Sequence, residues 1–304
     1  MLARFTVLLL ATSLTSSCMN APAPVAAKTP GSLKLASWNL EHLAERGGVG
    51  CRPRSEADYA ALRRHVSALD ADVIAFQEVE SRAAAQRVFD PTRYDVLISG
   101  RPASGRGGSC YGNPGQTIGH QAVGFAIRRG VRWTRNPDLA ALAVGNPDLR
   151  WGVDITVQGA RPMRLLALHL KSGCNSGRTS TDADCPVLFS QLPVLERWID
   201  ARAAAGETFA VLGDWNRRLA ARGDTFYAEI DDADPGDADL ALAAGDRQAG
   251  CKARYREFID HIVLGARAAQ RLVPNSFEEY RYGDVQEAEH PSDHCPVSVR
   301  LGWP

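Results

Sequence analysis

TFAVLGDWN, residues 208–216, is the stretch that decides the fold of this 304-residue chain. Its first five residues, Thr208–Leu212, form an apolar run that predicts a buried strand. A polar tip that carries Asp214 and Asn216 follows at once. Taken alone, this tip indicates only a turn, because both side chains can hydrogen-bond to nearby backbone. Its meaning therefore depends on how the other strands of the chain end.

Four other apolar segments also lead into polar residues that can carry chemistry. The polar clusters are Trp38-Asn39, Gln77-Glu78, His169 and Ser292-Asp293-His294. In open sheets, sites form beyond the strand ends, where loops diverge and backbone groups are free. Because five such clusters follow apolar strands, we expect their side chains to meet in one site.

The rest of the pattern alternates apolar strands with helices. Strands are predicted at Leu33–Trp38, Asp72–Phe76, Ala122–Ile127, Trp151–Val157, Leu165–Leu170, Thr208–Leu212, Phe258–Leu264 and Val297–Leu301. Helices are predicted at Phe189–Ala204 and at Ser55–Leu69, where Ser55 can cap the first turn and Asp58 occupies its third position. Many strands with interspersed helices predict an α/β fold with sheets at its centre.

These clusters and their neighbours resemble the endonuclease/exonuclease/phosphatase superfamily, the deoxyribonuclease I-like fold. The resemblance covers residues 33–304 as one domain and is carried by Ser37-Trp38-Asn39, Ala75-Phe76-Gln77-Glu78, Leu168-His169-Leu170, Gly213-Asp214-Trp215-Asn216, Phe258-Ile259-Asp260-His261-Ile262 and Ser292-Asp293-His294-Cys295-Pro296-Val297. It implies a four-layer sandwich of two mostly antiparallel β-sheets, packed face to face with helices outside. It also implies hydrolysis of phosphoesters with Mg²⁺ or Mn²⁺ as cofactor.

The predicted metal ligands are side chains that offer oxygen atoms. A hard divalent cation neutralises a phosphate oxygen and prefers carboxylate and amide oxygens as ligands. Glu78 is the best candidate for the metal carboxylate, and Asn39 supplies an amide oxygen or orients Glu78. Asp293 is expected to reach the same metal or a second one. For Asn39, the alternative is a cap at the end of a strand.

The predicted catalytic residues include His294, since a histidine with a near-neutral pKa suits proton transfer. The resemblance assigns Asp260 as the carboxylate that orients this ring, by the logic of catalytic triads. It also implies that Asp214 orients or deprotonates the attacking water and that Asn216 holds the phosphate. His169 would donate a hydrogen bond to the phosphate or protonate the leaving oxygen. Whether Asp214 or His294 takes the proton stays open.

Several arginines are candidates for phosphate contacts. Arg150 precedes a predicted strand at the place where the family has a phosphate-contacting arginine, and a guanidinium suits bidentate phosphate binding. Arginines at 52, 54, 101 and 106 flank the expected site loops. They contact a phosphate backbone in one interpretation and are solvated loop charges in the other.

Composition excludes some classes of protein. The sequence is 45% hydrophobic and 23% charged, which is typical of a globular protein and argues against disorder. Lys+Arg and Asp+Glu are both 35, so the formal net charge is zero. A protein that coats nucleic acid nonspecifically is usually strongly basic, so the zero net charge argues against that class. Binding of nucleic acid in a local basic groove stays open. We expect a monomer.

The first residues predict export. Residues 1–17 read as a signal peptide, with Arg4 before the apolar run Phe5–Leu14 and small residues after it. The stretch ending at Cys18 also resembles a bacterial lipobox, although Thr15 stands where leucine is usual. Residues 18–32 predict a flexible linker. The protein is therefore expected to be periplasmic, extracellular or attached to the envelope through a lipidated Cys18.

Cysteine usage agrees with export. Without Cys18, six cysteines remain, and an even set in an exported chain predicts disulfides. Cys174 and Cys185 bracket one polar loop, but six cysteines allow 15 connectivities, so the pairing stays open.

The main functional hypothesis is an exported, metal-dependent nuclease. A sphingomyelinase-like enzyme is one alternative, because Phe277, Tyr280 and Tyr282 precede Asp293 and could contact a membrane or stack on bases, or else pack beneath their loop. An inositol-phosphate phosphoesterase is another. A hypothesis from a different class is a non-catalytic surface lipoprotein that uses the same fold for binding.

Overall fold

The computed structural model describes residues 31–303 except 104–107, 178–182, 237–238 and 284. The predicted signal peptide, Cys18, most of the 18–32 linker and Arg106 lie outside the described residues.

Twelve strands and five α-helices make up the described chain. The strands are β1 (Ser32–Leu43), β2 (Val73–Val79), β3 (Tyr94–Ile98), β4 (Ala122–Arg128), β5 (Trp133–Arg135), β6 (Val153–Val157), β7 (Met163–His169), β8 (Phe209–Asp214), β9 (Leu240–Leu242), β10 (Asp260–Gly265), β11 (Glu278–Glu279) and β12 (Val297–Gly302). The helices are α1 (Glu56–Leu69), α2 (Arg82–Gln86), α3 (Cys185–Ala204), α4 (Thr225–Ile230) and α5 (Ala266–Ala269), with 3₁₀ turns at Ala140–Ala143 and Glu287–Glu289.

The strands form two sheets of six. Their orders are β11-β12-β1-β2-β4-β3 and β5-β6-β7-β8-β10-β9. Each sheet has one parallel pair, β1 with β2 and β7 with β8, and the other neighbours are antiparallel. The predicted arrangement of two mostly antiparallel sheets is confirmed.

Side chains alternate between the two faces of each sheet, and this alternation gives the fold its four layers. In β1, Leu35 points into the core between the sheets, and its neighbour Ala36 points to the outer face, because successive side chains of a strand alternate. The inner core joins side chains of both sheets, among them Val73, Phe125, Ile155, Leu165 and Leu212. Helices α1 and α2 cover the outer face of the first sheet, and α3 and α4 cover that of the second. The predicted sandwich is confirmed.

Helix α1 begins as its sequence predicts. The Ser55 hydroxyl accepts a hydrogen bond from the Asp58 backbone N–H, and the Asp58 carboxylate accepts one from the Ser55 N–H, which completes a capping box. Helix α3 begins at Cys185 and not at Phe189. Proline is tolerated in a first helical turn, where its missing N–H has no partner in any case, so Pro186 does not delay the helix.

Three disulfides confirm the predicted framework and settle its pairing. They join Cys51 to Cys110, Cys174 to Cys185 and Cys251 to Cys295. Paired cysteines of this kind are typical of proteins from oxidising compartments. Among the described helices, none combines the length and apolarity needed to cross a bilayer.

Candidate active site

Strand tips from both sheets meet at one place. Asn39 lies in β1 and Glu78 near the end of β2, while His169 and Asp214 end β7 and β8. Both strand pairs are parallel, so their carboxyl ends lie at one edge of each sheet. The Asn39 amide nitrogen donates to Oε1 of Glu78 at 3.3 Å and to Oδ2 of Asp214 at 3.0 Å, and so connects the two sheets.

Glu78 is held in an unusual backbone conformation. Its φ is 59°, in the left-handed region that is costly for residues with a side chain. The irregular part of β1 after Asn39 has the same feature at Glu41 (44°) and His42 (50°). The His42 backbone N–H donates to Glu78 Oε2 at 3.0 Å, which aims the carboxylate into the site. Such strain persists only where the surroundings enforce it, and it is common at functional sites.

Two carboxylates converge here, and the basic side chains beside them are histidines. His169 Nε2 lies 3.8 Å from Oε1 of Glu78 and 3.5 Å from Oδ2 of Asp214, the same oxygens that contact Asn39. Burial of the ring and the charge of Arg150 lower the pKa of His169 well below its ordinary value, so the ring is neutral at pH 7. Within 4.0 Å, the described residues give neither carboxylate a lysine or arginine. Converging oxygen ligands with excess negative charge fit a hard divalent cation.

His294 is coupled to two further carboxylates. Its Nδ1 lies 2.7 Å from Asp260 Oδ2, and its Nε2 lies 3.8 Å from Asp214 Oδ2. Burial disfavours the charged ring, but the charges of Asp260 and Asp214 outweigh burial and raise the pKa of His294 well above its ordinary value. One ligand atom from each of these three residues lies within 4.8 Å of the others, which makes them a geometric candidate for a metal. A protonated imidazole has no lone pair to give, so this group is better suited to holding a proton.

Asp214 is the buried centre of the site. Burial raises the pKa of Asp214 to about 7. Its Oδ1 accepts the Asn216 backbone N–H at 2.8 Å. Asn216 has a φ of 52°, and its side-chain amide donates to the Leu170 carbonyl at 3.2 Å. The turn therefore presents Asp214 and Asn216 together.

Arg150 is buried beneath the loop that follows β7. Its Nε donates to the His169 carbonyl at 3.2 Å, and its Nη2 donates to the Leu170 carbonyl. The guanidinium lines the same cleft as His169 and Asp214, so it places a positive charge there while it braces the loop.

Asp293 lies exposed beside His294 and Lys252. Its side chain is 45% exposed, with Oδ2 at 3.6 Å from Lys252 Nζ and Oδ1 at 3.8 Å from His294 Nε2. Its backbone N–H donates to the Glu41 carboxylate at 2.9 Å. Asp293 thus lines a different cleft from Glu78, and its role as a metal ligand stays a prediction.

The central cleft has a volume of about 280 Å³. It joins Glu78, Arg150, His169, Asp214, Asn216 and His294 with residues that the sequence analysis did not select, His42, Gln121, Asn146 and Lys171 among them. His42 lies three residues after Asn39, and Gln121 directly precedes β4 and contacts the His42 ring at 3.1 Å. Both residues lie close to strand ends, and this position is the sequence signal that could have identified them.

A second cleft, of about 310 Å³, adjoins the first. The two share His294, and Asp260 lines the second. Lys252, Arg254 and Tyr255 also line it. Tyr255 is 42% exposed, and the Arg254 guanidinium lies 4.5 Å from its ring centroid.

Two of the predicted loop arginines are structural. Arg54 is buried and donates to the carbonyls of Leu40 and Pro291. Arg101 is buried and donates to the carbonyls of Gln121 and Pro147. These guanidinium groups hold loops around the site in place.

Comparisons with known proteins agree with this geometry. Truncated TDP2 from Caenorhabditis elegans superposes with a TM-score of 0.60 at 15% identity, covering 89% of this chain and 98% of that one. The 3′-5′ exonuclease NExo from Neisseria meningitidis gives 0.59 at 15% identity, covering 89% and 100%. The human Nocturnin catalytic domain with bound sulfate gives 0.58 at 14% identity, covering 90% and 94%. These identities show the fold alone.

Curated protein sequences gave no match. The model of the Endonuclease/Exonuclease/phosphatase family matches residues 36–294, which is most of the sequence. The chain therefore belongs to the endonuclease/exonuclease/phosphatase family.

Proposed function

We propose that this chain is an exported, divalent-metal-dependent hydrolase that cleaves phosphodiester bonds in nucleic acid. The activities named in the family's description all cleave phosphoester bonds. The observation that carries the proposal is the convergence of Glu78 and Asp214 on Asn39, beside a protonated His294. A non-catalytic binding protein has no need for buried carboxylates held so close together.

Glu78 would hold the cation, and Asn39 would orient the Glu78 carboxylate, because the Asn39 amide nitrogen faces Glu78 Oε1 while its oxygen accepts the Glu41 N–H at 2.9 Å. Carboxylate oxygens suit Mg²⁺ or Mn²⁺, and the side chain of Glu78 is only 15% exposed and is aimed into the cleft by the His42 N–H. When bound, the metal supplies charge neutralisation at a phosphate oxygen.

Asp214 is proposed as the base. Its raised pKa, about 7, matches the pH at which a base both accepts a proton readily and is largely ionised. His294 then stays charged and donates from Nε2 to an oxygen of the transition state, while Asp260 keeps the ring oriented. The proposal thus gives the proton to Asp214, a choice that the sequence left open.

His169, Asn216 and Arg150 are proposed to hold the phosphate. The neutral His169 ring donates one N–H without adding a charge beside Glu78. Asn216 lines the cleft with its amide next to the Asp214 turn. Arg150 adds a fixed positive charge from beneath the loop.

The second cleft favours a long, flexible substrate. Lys252 and Arg254 can contact a phosphate backbone, and an exposed tyrosine such as Tyr255 can stack on a base. A solved relative is described as a 3′ phosphatase, NExo from Neisseria bound to a product DNA hairpin, at 16% identity and a TM-score of 0.57. Small inositol phosphates have no use for a groove that extends past His294.

A sphingomyelinase-like role finds less support. Phe277 and Tyr282 are buried and so are not free to enter a membrane, and Tyr280 hydrogen-bonds to Glu278. For export, the support is the predicted signal peptide together with three disulfides.

A substrate panel tests the proposal. Purified protein is incubated with supercoiled plasmid, RNA, sphingomyelin and inositol phosphates in chelator, in Mg²⁺ and in Mn²⁺. We expect nicking of nucleic acid with either metal and none with chelator. Release of phosphocholine alone, of inorganic phosphate alone, or no turnover of any substrate would each overturn the proposal.

A further inference from the structure

A second concave surface lies at the opposite end of the second sheet. Strands β7 and β8 pair from Arg164 and Phe209 at one end to His169 and Asp214 at the active-site end. Five residues separate these ends, which is about 16 Å at roughly 3.3 Å per residue. An open pocket of about 1170 Å³ surrounds the Arg164 end.

Four arginines line this pocket, and we call them the basic pole: Arg161, Arg164, Arg267 and Arg271. Arg164 is paired with the buried Asp154, at 2.6 Å. Within 4.0 Å, the described residues offer no carboxylate to the other three. Among the described residues that line the pocket, one carries a carboxylate, Glu207, which lies 3.5 Å from Arg202 and 4.0 Å from Arg164. The basic pole therefore carries a clear excess of positive charge.

Two of the three unpaired guanidinium groups, those of Arg271 and Arg267, have defined contacts with the fold. Arg271 donates to the Thr208 hydroxyl at 2.9 Å and to the Arg161 carbonyl at 3.3 Å. Burial and the charge of Arg161 lower the pKa of Arg271. Arg267 lies against Gly206, where a Cβ atom would be 2.9 Å from its Nη2. Like charges held this close repel one another, and an anion offsets that repulsion.

The chain enters the fold beside the basic pole. The Gly31 carbonyl accepts the Trp303 N–H at 2.7 Å, and the neighbouring Gly302 N–H donates to the Arg271 carbonyl at 2.7 Å. The residues before Gly31 include the apolar run Phe5–Leu14 and Cys18, which predict a membrane-directed segment. Met19–Pro30 spans at most about 40 Å when fully extended. A chain attached to a membrane at Cys18 therefore has enough reach for the basic pole to contact the bilayer.

We propose that the basic pole docks on an anionic phospholipid surface and directs the active site away from the bilayer. Basic residues near an anionic leaflet are attracted to it within about a Debye length, so the contact weakens with salt. A single acyl chain anchors a protein only marginally, and a basic patch adds a second attachment. The proposal is independent of the substrate assigned above, because it concerns the opposite end of the sheet.

Vesicle binding tests this proposal with the full chain carrying Cys18→Ser, which prevents acylation. Co-sedimentation is compared between vesicles of phosphatidylcholine alone and a 7:3 mixture with phosphatidylglycerol. The apolar N-terminal residues contribute equally to both, so the phosphatidylglycerol-dependent part isolates the charge effect. We expect the double variant Arg161→Gln, Arg267→Gln to reduce the phosphatidylglycerol-dependent binding about tenfold or more. High salt should reduce that binding to a similar extent.

The matched control is Arg63→Gln with Arg64→Gln, which removes the same charge from two exposed arginines of α1. This control should co-sediment with phosphatidylglycerol vesicles to the same extent as the wild type. Both double variants should keep wild-type turnover of a soluble substrate. Equal loss in the two pairs, or no dependence on phosphatidylglycerol, would overturn the proposal. Loss of duplex DNA binding or of self-association in place of vesicle binding would do so as well.

Hydrogen exchange on the unmutated basic pole gives a second readout. Phosphatidylglycerol vesicles should slow amide exchange at residues 159–164 and 266–271. Protection at Glu78 and His169 instead would place the membrane at the catalytic cleft and contradict the assignment.

Discussion

Oδ2 of Asp260 lies 2.7 Å from Nδ1 of His294, and this contact keeps a charged imidazole between two buried carboxylates. Asp260 pairs in register with Asp214 across β8 and β10, so strand pairing sets these two carboxylates, while His294 lies in the loop before β12. Groups placed on sheet strands hold their geometry closely.

Asp260→Asn should shift the alkaline limb of the pH–rate profile to lower pH. In the proposed mechanism His294 acts in its protonated form, so activity should fall as pH rises through its pKa. Removing the Asp260 charge lowers that pKa, since this charge opposes the desolvation of the ring. The measurement is kcat/KM against pH for a soluble diester, and we expect a shift of about one unit or more. A limb that stays in place would show that His294 is not the group that titrates.

Asp214→Asn should slow turnover strongly and stabilise the protein at pH 8. The loss of a general base lowers the rate by about 10²–10⁴-fold. The folded-state pKa of Asp214 is raised by burial, so this carboxyl loses folding stability as pH rises from its unfolded value to about 7. The variant is free of that penalty above pH 7. Thermal melts in chelator at pH 5 and pH 8 check this: the gain should appear at pH 8 and shrink at pH 5, and a gain of equal size at both would contradict the charge argument.

Tyr255→Ala should weaken binding of single-stranded DNA. Stacking of a base on an aromatic side chain contributes about 1–3 kcal/mol, so we expect KM to rise about tenfold. A small diester such as bis(p-nitrophenyl) phosphate does not reach the second cleft, and its kcat/KM should stay the same. Tyr111→Ala is the matched control, because Tyr111 is fully exposed in another loop. Equal effects on both substrates would remove Tyr255 from substrate recognition.

Local chemistry made much of this structure predictable. The Ser55 capping box and the apolar face of α1 are sequence-local, and so are the strands that lead to Glu78 and Asp214. Short edge strands were not predicted. Strand β11 has only two residues, Glu278 and Glu279. It is a strand because it pairs with β12, and not because its residues have a high β-propensity.

The sequence identified residues that the fold brings together, but it did not predict where each of their side chains points. The family resemblance selected Asn39, His169 and Asp260, and the fold brings them together. Asp293 follows the backbone turn toward Lys252, which depends on a loop fixed by the disulfide between Cys251 and Cys295. Long-range loop packing of this kind leaves no pattern in the sequence.

The most direct test of the central claim is the dependence of plasmid nicking on Mg²⁺ concentration in Glu78→Gln, with Glu80→Gln as its exposed neighbour control. If Glu78 holds the cation, the Glu78→Gln rate falls about 10³-fold and half-saturation moves to higher Mg²⁺, because the variant loses a charged ligand. Glu80→Gln should stay close to wild type. A Glu78→Gln enzyme with wild-type rate and wild-type Mg²⁺ dependence would contradict the account.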